Sequence, residues 1–262
     1  MINDTDFSGQ VVLITGGASG IGYACAEGFA KRGAKVAIAD LKAEQAEAAA
    51  AQLGDGHIGL GGDVSSEEVA DQLVSDTVDK LGRLDVLINC AGMSDSFLPT
   101  VEQSGENFSR LIDVHLTGSF LMAKRAAREM IKAGHGAIIN ISSIAGTHAL
   151  VRRNAYTSAK HAVIGLTKTL GCEWAQDGVR VNAIAPGYIE TPMVMSLVES
   201  GRLDANVIKR RTPMGIMLKP EEIANAAIFL ACPLSKAITG TVVTVDGGYT
   251  SYGSPADAAE VD

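Results

Sequence analysis

The sequence predicts a single doubly wound α/β domain, in which helices cover both faces of a parallel sheet. Short apolar runs alternate with amphipathic stretches along nearly all of the 262-residue chain. The short runs are apolar throughout instead of alternating with polar residues, as expected of parallel strands that are buried on both faces. No linker, repeat or low-complexity insert interrupts this order. Strand–helix alternation of this kind is typical of one α/β domain.

The predicted strands are short apolar runs at residues 11–15 (VVLIT), 35–40 (KVAIAD), 57–61, 84–89 (LDVLIN), 137–141 (AIINI), 179–184 (VRVNAI) and 241–245. Helices are predicted between them, at residues 21–32, 43–53, 67–81, 101–132, 155–176 and 220–231. Gly33 ends the first helix, the second is rich in alanine, and Ser65 and Ser66 provide a cap before the third.

Two segments depart from this alternation. Residues 187–219 follow the end of a strand and have only a mixed helical pattern, so we expect a lid over a ligand crevice. Residues 254–262 are small and acidic, and we expect a flexible tail. The predicted domain therefore covers residues 1–253.

Composition excludes several classes of protein. Hydrophobic residues make up 47% of the chain, enough for a full core. The net charge of −8 argues against nucleic acid as a partner, because phosphate neutralisation needs a basic face. Residues 7–26 are uncharged and long enough to raise the question of a membrane span, but their five glycines predict a strand and a turn. Residues 1–10 contain no lysine or arginine, so we expect no signal peptide, no membrane partner and a cytoplasmic location.

The cysteines and histidines show no ligand spacing. The four cysteines form no Cys-x-x-Cys, and the histidines form no His-x-x-x-His. We therefore expect no catalytic metal, and buried thiols rather than disulfides, at Cys25, Cys90, Cys172 and Cys232.

A glycine-rich turn follows the first predicted strand. It reads TGGASGIG, with Gly16, Gly20 and Gly22 in a G-x-x-x-G-x-G spacing that differs from the usual dinucleotide fingerprint. Glycines at a strand–helix turn let a pyrophosphate approach the backbone, and the helix amides then face the phosphates. Such a turn alone is weak support, but its position after the first strand of an α/β alternation favours nucleotide binding.

Asp40 ends the second predicted strand, 18 residues after Gly22. This offset is close to the roughly 20 residues of the acid that binds the ribose of NAD. A carboxylate there accepts hydrogen bonds from ribose hydroxyls and repels a 2′-phosphate. No arginine lies in the glycine turn, although Lys42 is nearby, so the sequence favours NAD over NADP.

Tyr156 and Lys160 are four residues apart in a predicted helix, on one face of it. Ser143 lies at the end of the strand before them, and the carboxyl ends of strands face the ligand crevice in this fold class. A lysine ammonium close to a phenol, together with a nicotinamide cation in the oxidising direction, favours the phenolate, so we expect Lys160 to lower the pKa of Tyr156.

Together these motifs resemble the short-chain dehydrogenase/reductase family. The similarity rests on TGGASGIG, on NCAG at residues 89–92, on ISS at 141–143, on YTSAK at 156–160, on PGYIETPM at 186–193 and on VDGGY at 245–249. It extends over residues 7–249. The resemblance implies one Rossmann-like domain with a seven-stranded parallel sheet.

The resemblance also implies roles for individual residues. Tyr156 would be the general acid/base, Lys160 would lower its pKa and bind the nicotinamide ribose, and Ser143 would hold the substrate oxygen. The implied cofactor-binding residues are Gly16, Ser19, Gly20, Ile21, Gly22, Asp40, Asp63, Val64, Asn89, Ala91, Gly92, Tyr156, Lys160, Pro186, Gly187, Ile189 and Thr191.

Two positions depart from the family pattern. Cys90 replaces an asparagine and is interpreted as a small core residue. His115 stands where the family has a catalytic asparagine that holds a relay water. A histidine can donate and accept hydrogen bonds, so it could continue the relay or simply fill the helix kink as a core residue.

The substrate pocket is expected between residues 144–154 and the lid, with Ser143, Arg152 and Asn154 as substrate contacts. Two basic clusters, residues 152–153 and 209–211, have two interpretations. They could bind an anionic or polyhydroxylated substrate, or they could be solvated charges or ion pairs between subunits.

The sequence thus predicts an NAD-dependent oxidoreductase that interconverts a secondary alcohol (a polyol, sugar or hydroxy acid) and a ketone. Two alternatives are an NADPH-dependent 3-oxoacyl-thioester reductase and a catalytically silent dinucleotide-binding regulator. Assembly as a homotetramer through the two long helices is also expected. Small residues on those helices, among them Ala159, Ala162, Gly165 and Cys172, could face outward.

Overall fold

Seven parallel strands form one sheet within residues 5–254 and 256–259, the part of the chain that the computed structural model describes. They are β1 (Val11–Thr15), β2 (Lys35–Asp40), β3 (Ile58–Gly61), β4 (Val86–Asn89), β5 (Gly136–Ile141), β6 (Val179–Pro186) and β7 (Val242–Val245). The strand order is β3-β2-β1-β4-β5-β6-β7. All six neighbouring pairs are parallel. The predicted α/β fold with a seven-stranded parallel sheet is confirmed.

The helices cover both faces of this sheet. They are α1 (Gly20–Ala30), α2 (Ala43–Leu53), α3 (Glu67–Leu81), α4 (Gly105–Ile112), α5 (Gly118–Ala133), α6 (Asn154–Glu173), α7 (Pro192–Glu199), α8 (Ala205–Arg211) and α9 (Pro220–Ala231). Val12 and Ile14 of β1 pack with α1, α2 and α9, whereas Leu13 packs on the other face with α3, α5 and α6. Successive side chains of a strand point to opposite faces, so both faces are buried and the strand is apolar at every position.

The strand order reverses between β1 and β4, because the chain crosses the sheet from β3 to β4 there. In doubly wound sheets the ligand crevice lies at this switch point, outside the carboxyl ends of the strands. The glycine turn after β1 and the NCAG segment after β4 therefore meet at one place.

The predicted helix over residues 101–132 was wrong in its first turn. Thr100–Glu102 forms a short 3₁₀ turn, and α4 begins at Gly105 behind Ser104, whose hydroxyl accepts from the amide of Asn107 at 3.1 Å. A π-helical turn, Asp113–Thr117, joins α4 to α5. Such turns are rare and frequently occur at functional sites.

Other boundaries shift by a few residues. The first helix starts at Gly20 and ends at Ala30, the helix predicted over 155–176 ends at Glu173, and the strand predicted over 84–89 begins at Val86. Ala159 faces the core on α6, which corrects the expectation that it could face outward. Cys172 is exposed, so the expectation of a buried thiol was wrong there; Cys25 and Cys232 are buried.

The segment predicted as a lid contains two short helices, α7 and α8. Part of the expected tail lies against it: the amide of Ala258 donates to the carbonyl of Arg210 at 2.7 Å, and Asp257 pairs with the Arg210 guanidinium at 3.3 Å. Pro255 and residues 260–262 lie outside the described residues. Among the described helices, none has both the length and the apolar character to cross a membrane.

Candidate active site

A cavity of about 560 Å³ lies at the carboxyl ends of the strands. The glycine turn, the ends of β2, β4, β5 and β6, the π-helical turn and the start of α7 form its walls. Most of the predicted site residues line it, namely Gly16, Ser19, Gly20, Ile21, Asp40, Asp63, Val64, Ala91, Gly92, His115, Ser143, Tyr156, Lys160, Pro186, Gly187, Ile189 and Thr191.

The glycine turn is shaped for close approach of backbone. Gly16 and Gly20 have positive φ angles of 63° and 54°, which favour glycine. A Cβ atom on Gly16 would come within 2.8 Å of the Cα atom of Ala91, and one on Gly22 would collide with the carbonyl oxygen of Gly16. Ser19 caps α1 without a side-chain hydrogen bond, and the first turn carries no acidic residue. This start of a helix, with glycines at positions 20 and 22 and no acidic residue, fits a phosphate group.

Asp40 is held at the edge of the same cavity. Its carboxylate accepts from the amide of Ala18 at 3.1 Å and from the amide of Leu41 at 2.8 Å. The first contact ties the end of β2 to the glycine turn. The carboxylate therefore has a defined position beside the turn, as a ribose-binding acid requires.

Asp63 lines the cavity just after β3, the strand that pairs with β2 beside Asp40, and it pairs with Arg110 of α4 at 2.6 Å. Burial alone would raise the pKa of Asp63, but hydrogen bonds from Ser65 and the Arg110 guanidinium lower it below its ordinary value. A fixed anion–cation pair at this position shapes the pocket without adding net charge to it. Arg110 was not predicted, because its link to Asp63 spans 47 residues.

Ser143, Tyr156 and Lys160 meet at the inner end of the cavity. The hydroxyl of Ser143 accepts from the amide of Ala145 at 3.1 Å and also hydrogen-bonds the Tyr156 side chain. The Lys160 ammonium donates to the carbonyl of Ile141 at 2.7 Å and lies 5.6 Å from the centre of the Tyr156 ring. The end of β5 and the first turns of α6 therefore bring these three side chains together.

The pKa of Tyr156 is set mainly by burial. Burial raises it above its ordinary value, and the hydrogen bond from Ser143 and the charge of Arg153 only partly oppose this. Burial also lowers the pKa of Lys160 to about 8. Lys160 is not among the groups that shift the pKa of Tyr156 here, because its ammonium contacts the Ile141 carbonyl; its effect on the phenol beside a bound nicotinamide stays a prediction.

His115 lies in the π-helical turn with 3% of its surface exposed. Its Nε2 atom is 3.1 Å from the amide nitrogen and 3.0 Å from the carbonyl oxygen of Met93. Its ring meets that of Tyr156 edge-on, with centroids 5.2 Å apart. Burial, with the charge of Lys160 next, lowers the pKa of His115 to about 3, so the imidazole is neutral. Its Nδ1 atom has no partner among the described residues.

Four predicted site residues are not brought into this cavity. Asn89 is buried, and its amide donates to the carbonyl of Ser119 and to Asn140. Gly22 packs on Gly16 below the surface of the turn. The Asn154 amide donates away from the site, to Thr100 and Gln103. Arg152 is exposed and lines a separate cavity.

Arg153 was not among the predicted site residues, yet it contacts Tyr156. Its guanidinium carbon lies 4.3 Å from the centre of the Tyr156 ring and 4.5 Å from that of Phe97. The dipeptide Arg152-Arg153 was the only signal for it in the sequence. That signal could not distinguish the arginine that stacks on Tyr156 from the one that points to solvent.

Comparisons with known proteins found chains that are similar over almost the whole length of this one. The family model described as enoyl-(acyl carrier protein) reductase matches residues 16–250. D-threitol dehydrogenase of Mycolicibacterium smegmatis is 40% identical over 252 residues, covering 94% of this chain and 96% of the relative. Cis-4-hydroxycyclohexanecarboxylate dehydrogenase of Sinomonas cyclohexanicum is 40% identical over 248 residues, covering 94% and 98%. A solved short-chain type dehydrogenase/reductase from Mycobacterium marinum superposes with a TM-score of 0.89 at 32% identity, covering 95% and 98%.

Proposed function

The chain belongs to the short-chain dehydrogenase/reductase family and is an oxidoreductase of CH–OH groups, and from that premise we propose that it uses NAD to interconvert a secondary alcohol and a ketone. Polyols, sugars and hydroxy acids are the proposed substrates. One observation carries the proposal: Ser143, Tyr156 and Lys160 line the same cavity as the glycine turn and Asp40.

Ser143 and Tyr156 supply the proton chemistry in this proposal. The Ser143 hydroxyl holds the substrate oxygen, and the Tyr156 hydroxyl gives a proton to that oxygen in ketone reduction and takes it back in alcohol oxidation. Burial keeps the Tyr156 phenol protonated at neutral pH in the free chain, which is the form that donates. When bound, the nicotinamide supplies the hydride or accepts it.

Lys160 prepares the site for the cofactor. Its ammonium lies on the Tyr156 side of the cavity and uses one of its three donors on Ile141, so the others are available for a ribose. A cation at this place also favours the phenolate once a ligand draws it toward the ring. We propose that Lys160 both binds the nicotinamide ribose and helps Tyr156 to act as a base.

The cofactor preference rests on Asp40. Its fixed carboxylate lies beside the glycine turn, where it would accept hydrogen bonds from ribose hydroxyls and repel a 2′-phosphate. The other proposed cofactor contacts are Gly16, Ser19, Gly20, Ile21, Asp63, Val64, Ala91, Gly92, Pro186, Gly187, Ile189 and Thr191. Asn89 and Gly22 support this surface from below.

His115 is proposed as a positioning residue for Tyr156. A neutral imidazole tied to the Met93 backbone fixes the loop after β4, and its edge-on contact fixes the tyrosine ring. Its free Nδ1 atom can serve one further hydrogen bond, which a proton relay would use. Histidine replaces asparagine here without introducing a buried charge.

The two alternatives make different demands on the chain. A 3-oxoacyl-thioester reductase that uses NADPH needs room for a 2′-phosphate next to Asp40, which the carboxylate opposes. A silent regulator has no need for Ser143, Tyr156 and Lys160 together at the cavity. Turnover measured with NAD and with NADP separates the first alternative from the proposal, and the absence of any turnover would support the second.

The test is a dehydrogenase panel followed by NADH absorbance. It contains polyols, sugars and hydroxy acids, and it includes D-threitol and 4-hydroxycyclohexanecarboxylate because two relatives carry these names. The Tyr156→Phe variant, assayed in parallel, reports background oxidation. Failure of every alcohol with both cofactors would overturn the proposal.

We further propose a homotetramer built through α5 and α6. Phe120 and Ile131 of α5 are large apolar residues that are partly exposed, and Gly165 and Cys172 of α6 are small and exposed. Small residues permit close approach of helices, and exposed apolar groups are stabilised by contact. Light scattering after size-exclusion chromatography gives the mass, and a monomeric mass would contradict this assembly.

A further inference from the structure

A second cavity, also of about 560 Å³, lies beside the first and is lined mainly by apolar and cationic side chains. The loop after β4, the segment before α6 and the lid form its walls, with Phe97, Arg152, Arg153, Tyr188, Arg202 and Leu203 among them. Three arginines line it, and no aspartate or glutamate is among its described lining residues. In a chain of net charge −8, this is a local excess of positive charge.

Arg153 is the arginine nearest to the reacting groups. Its guanidinium is held between the rings of Phe97 and Tyr156. The Nε atom is fully buried and has no hydrogen-bond partner among the described residues, and the guanidinium makes no ion pair with them. Both rings lie within 4.5 Å of the guanidinium carbon, and the unpartnered N–H is left to pair with a planar anion.

The other arginines of the two basic clusters contact other side chains or point away from Tyr156. Arg210 pairs with Asp257, and Arg211 lies 5.4 Å from the rings of Tyr249 and Tyr252. Arg152, next to Arg153, is exposed and has a positive φ of 66°. Among these arginines, only Arg153 has an unsatisfied guanidinium against the catalytic tyrosine. The interpretation as a binding site for an anionic substrate therefore applies to Arg153 and can be tested separately from the others.

Asp95, a buried carboxylate on the loop after β4, forms no ion pair with Arg153. Asp95 accepts from the amide of Ser96 at 2.7 Å and from the amide of Tyr156 at 3.3 Å, and it forms no ion pair within the described chain. A partly buried cation without a counter-ion is unfavourable, so an anion that enters the cavity gains by pairing with it.

We propose that this cavity binds the carboxylate of a hydroxy acid, and that Arg153 is the specificity-determining residue. The carboxylate pairs with the guanidinium edge, and the carbinol reaches Ser143 and Tyr156 on the other side of the stacked ring. The body of the substrate is apolar, because Phe97, Tyr188 and Leu203 surround the arginines. This assignment rests on the proposed function and narrows its substrate class from alcohols in general to hydroxy acids.

The test compares each acid with its own uncharged amide, so that shape is matched and only the charge changes. The probes are 4-hydroxycyclohexanecarboxylate and 3-hydroxybutanoate, each against its carboxamide, with NAD as the co-substrate. We expect kcat/KM to be at least tenfold higher for the acid in the unmodified protein, since hydrogen bonds to charged groups are the strong ones. In Arg153→Met the acid-to-amide ratio falls to about one, and in Arg153→Lys it is intermediate.

Lys236→Met is the matched control, since it removes an exposed cation that lines neither cavity, and its ratio should stay within about threefold of the unmodified protein. A second readout does not depend on turnover of the probe: cyclohexanecarboxylate should inhibit oxidation of the best neutral alcohol at least tenfold more strongly than cyclohexanecarboxamide, and Arg153→Met should abolish that difference. Thermal unfolding shows whether each variant is folded.

The outcomes distinguish the two proposals. If neutral alcohols are oxidised and neither the ratio nor the inhibition favours the carboxylate, the role of Arg153 is overturned and the proposed function stands. Equal effects of Lys236→Met and Arg153→Met overturn the assignment to Arg153. If no alcohol of any kind is oxidised, the proposed function itself fails.

Discussion

Replacing Asp40 by asparagine should change the cofactor preference of this protein. The substitution keeps the shape of the side chain and an oxygen that can accept from the amide of Ala18, whose hydrogen bond to Asp40 is 3.1 Å long. It removes the charge, and it replaces the oxygen that accepts from the amide of Leu41 at 2.8 Å by an NH2 group that cannot accept. Two unit charges about 4 Å apart interact by about 4 kcal/mol near a protein surface. Because Asp40 is half-buried, solvent and salt reduce this to about 1.4–2.8 kcal/mol, or one to two decades of affinity.

Asp40→Asn should change kcat/KM for both cofactors, in opposite directions. The kcat/KM for NADP should rise about tenfold to hundredfold as the repulsion disappears. The kcat/KM for NAD should fall about tenfold, because ribose hydroxyls then donate to a neutral oxygen rather than a charged one. The ratio of the two values, measured with one alcohol at fixed ionic strength, therefore changes by about two to three decades.

Two further variants sharpen this measurement. Asp40→Ala also removes the acceptor for Ala18, so it should weaken binding of both cofactors in addition to relaxing preference. Glu44→Gln removes an exposed negative charge from the start of α2 and should leave the ratio within about twofold. If Asp40→Asn leaves the NAD-to-NADP ratio unchanged, Asp40 has no part in cofactor selection and the reasoning from its position is refuted.

Three other substitutions test the site. Tyr156→Phe should reduce kcat by about 10²–10⁴ while the Kd for NADH stays within a few-fold, because only the proton donor is lost; a variant that keeps most of its rate would remove Tyr156 from its role. His115→Asn should make stability less sensitive to acid. The unfolded chain binds a proton below its pKa of 6.5, whereas burial keeps folded His115 neutral down to about 3, so the unmodified protein loses up to about 1.4 kcal/mol per pH unit relative to the variant between pH 6 and 4. Urea unfolding gives the free energy of unfolding of both proteins at pH 6 and pH 4. If the difference between the two proteins is the same at both pH values, the buried neutral imidazole is contradicted. Gly22→Ala should raise the Kd for NADH at least tenfold, since its Cβ atom collides with the Gly16 carbonyl and distorts the turn. Gly105→Ala, where a Cβ atom meets nothing within 4 Å, is the matched control, and equal NADH binding by both variants would contradict the proposed phosphate site.

Much of the fold was predictable from local pattern. Strands that are apolar at every position, such as VVLIT, specify burial on both faces, and the helices between them specify a parallel sheet. The glycine turn, Asp40 and the trio of Ser143, Tyr156 and Lys160 were also predictable. The glycine turn, Asp40 and Ser143 lie at or just after the ends of strands, which meet at one edge in a parallel sheet. Tyr156 and Lys160 lie in the first turns of α6, the helix that follows β5.

Only the tertiary structure decided what these residues contact. Asn89 and Ala91 are two residues apart, yet one amide is buried against Asn140 and the other residue lines the cavity. Adjacent Arg152 and Arg153 differ in the same way, because one points to solvent and the other stacks on Tyr156. The pKa of Tyr156 is raised because the side chain is desolvated, and the atoms that bury it come from distant parts of the chain. The sequence by itself determined which strand ends and helix starts carry the reactive groups, because local pattern sets those elements. Packing determined which groups reach the crevice, their charge states and which of them are free to bind.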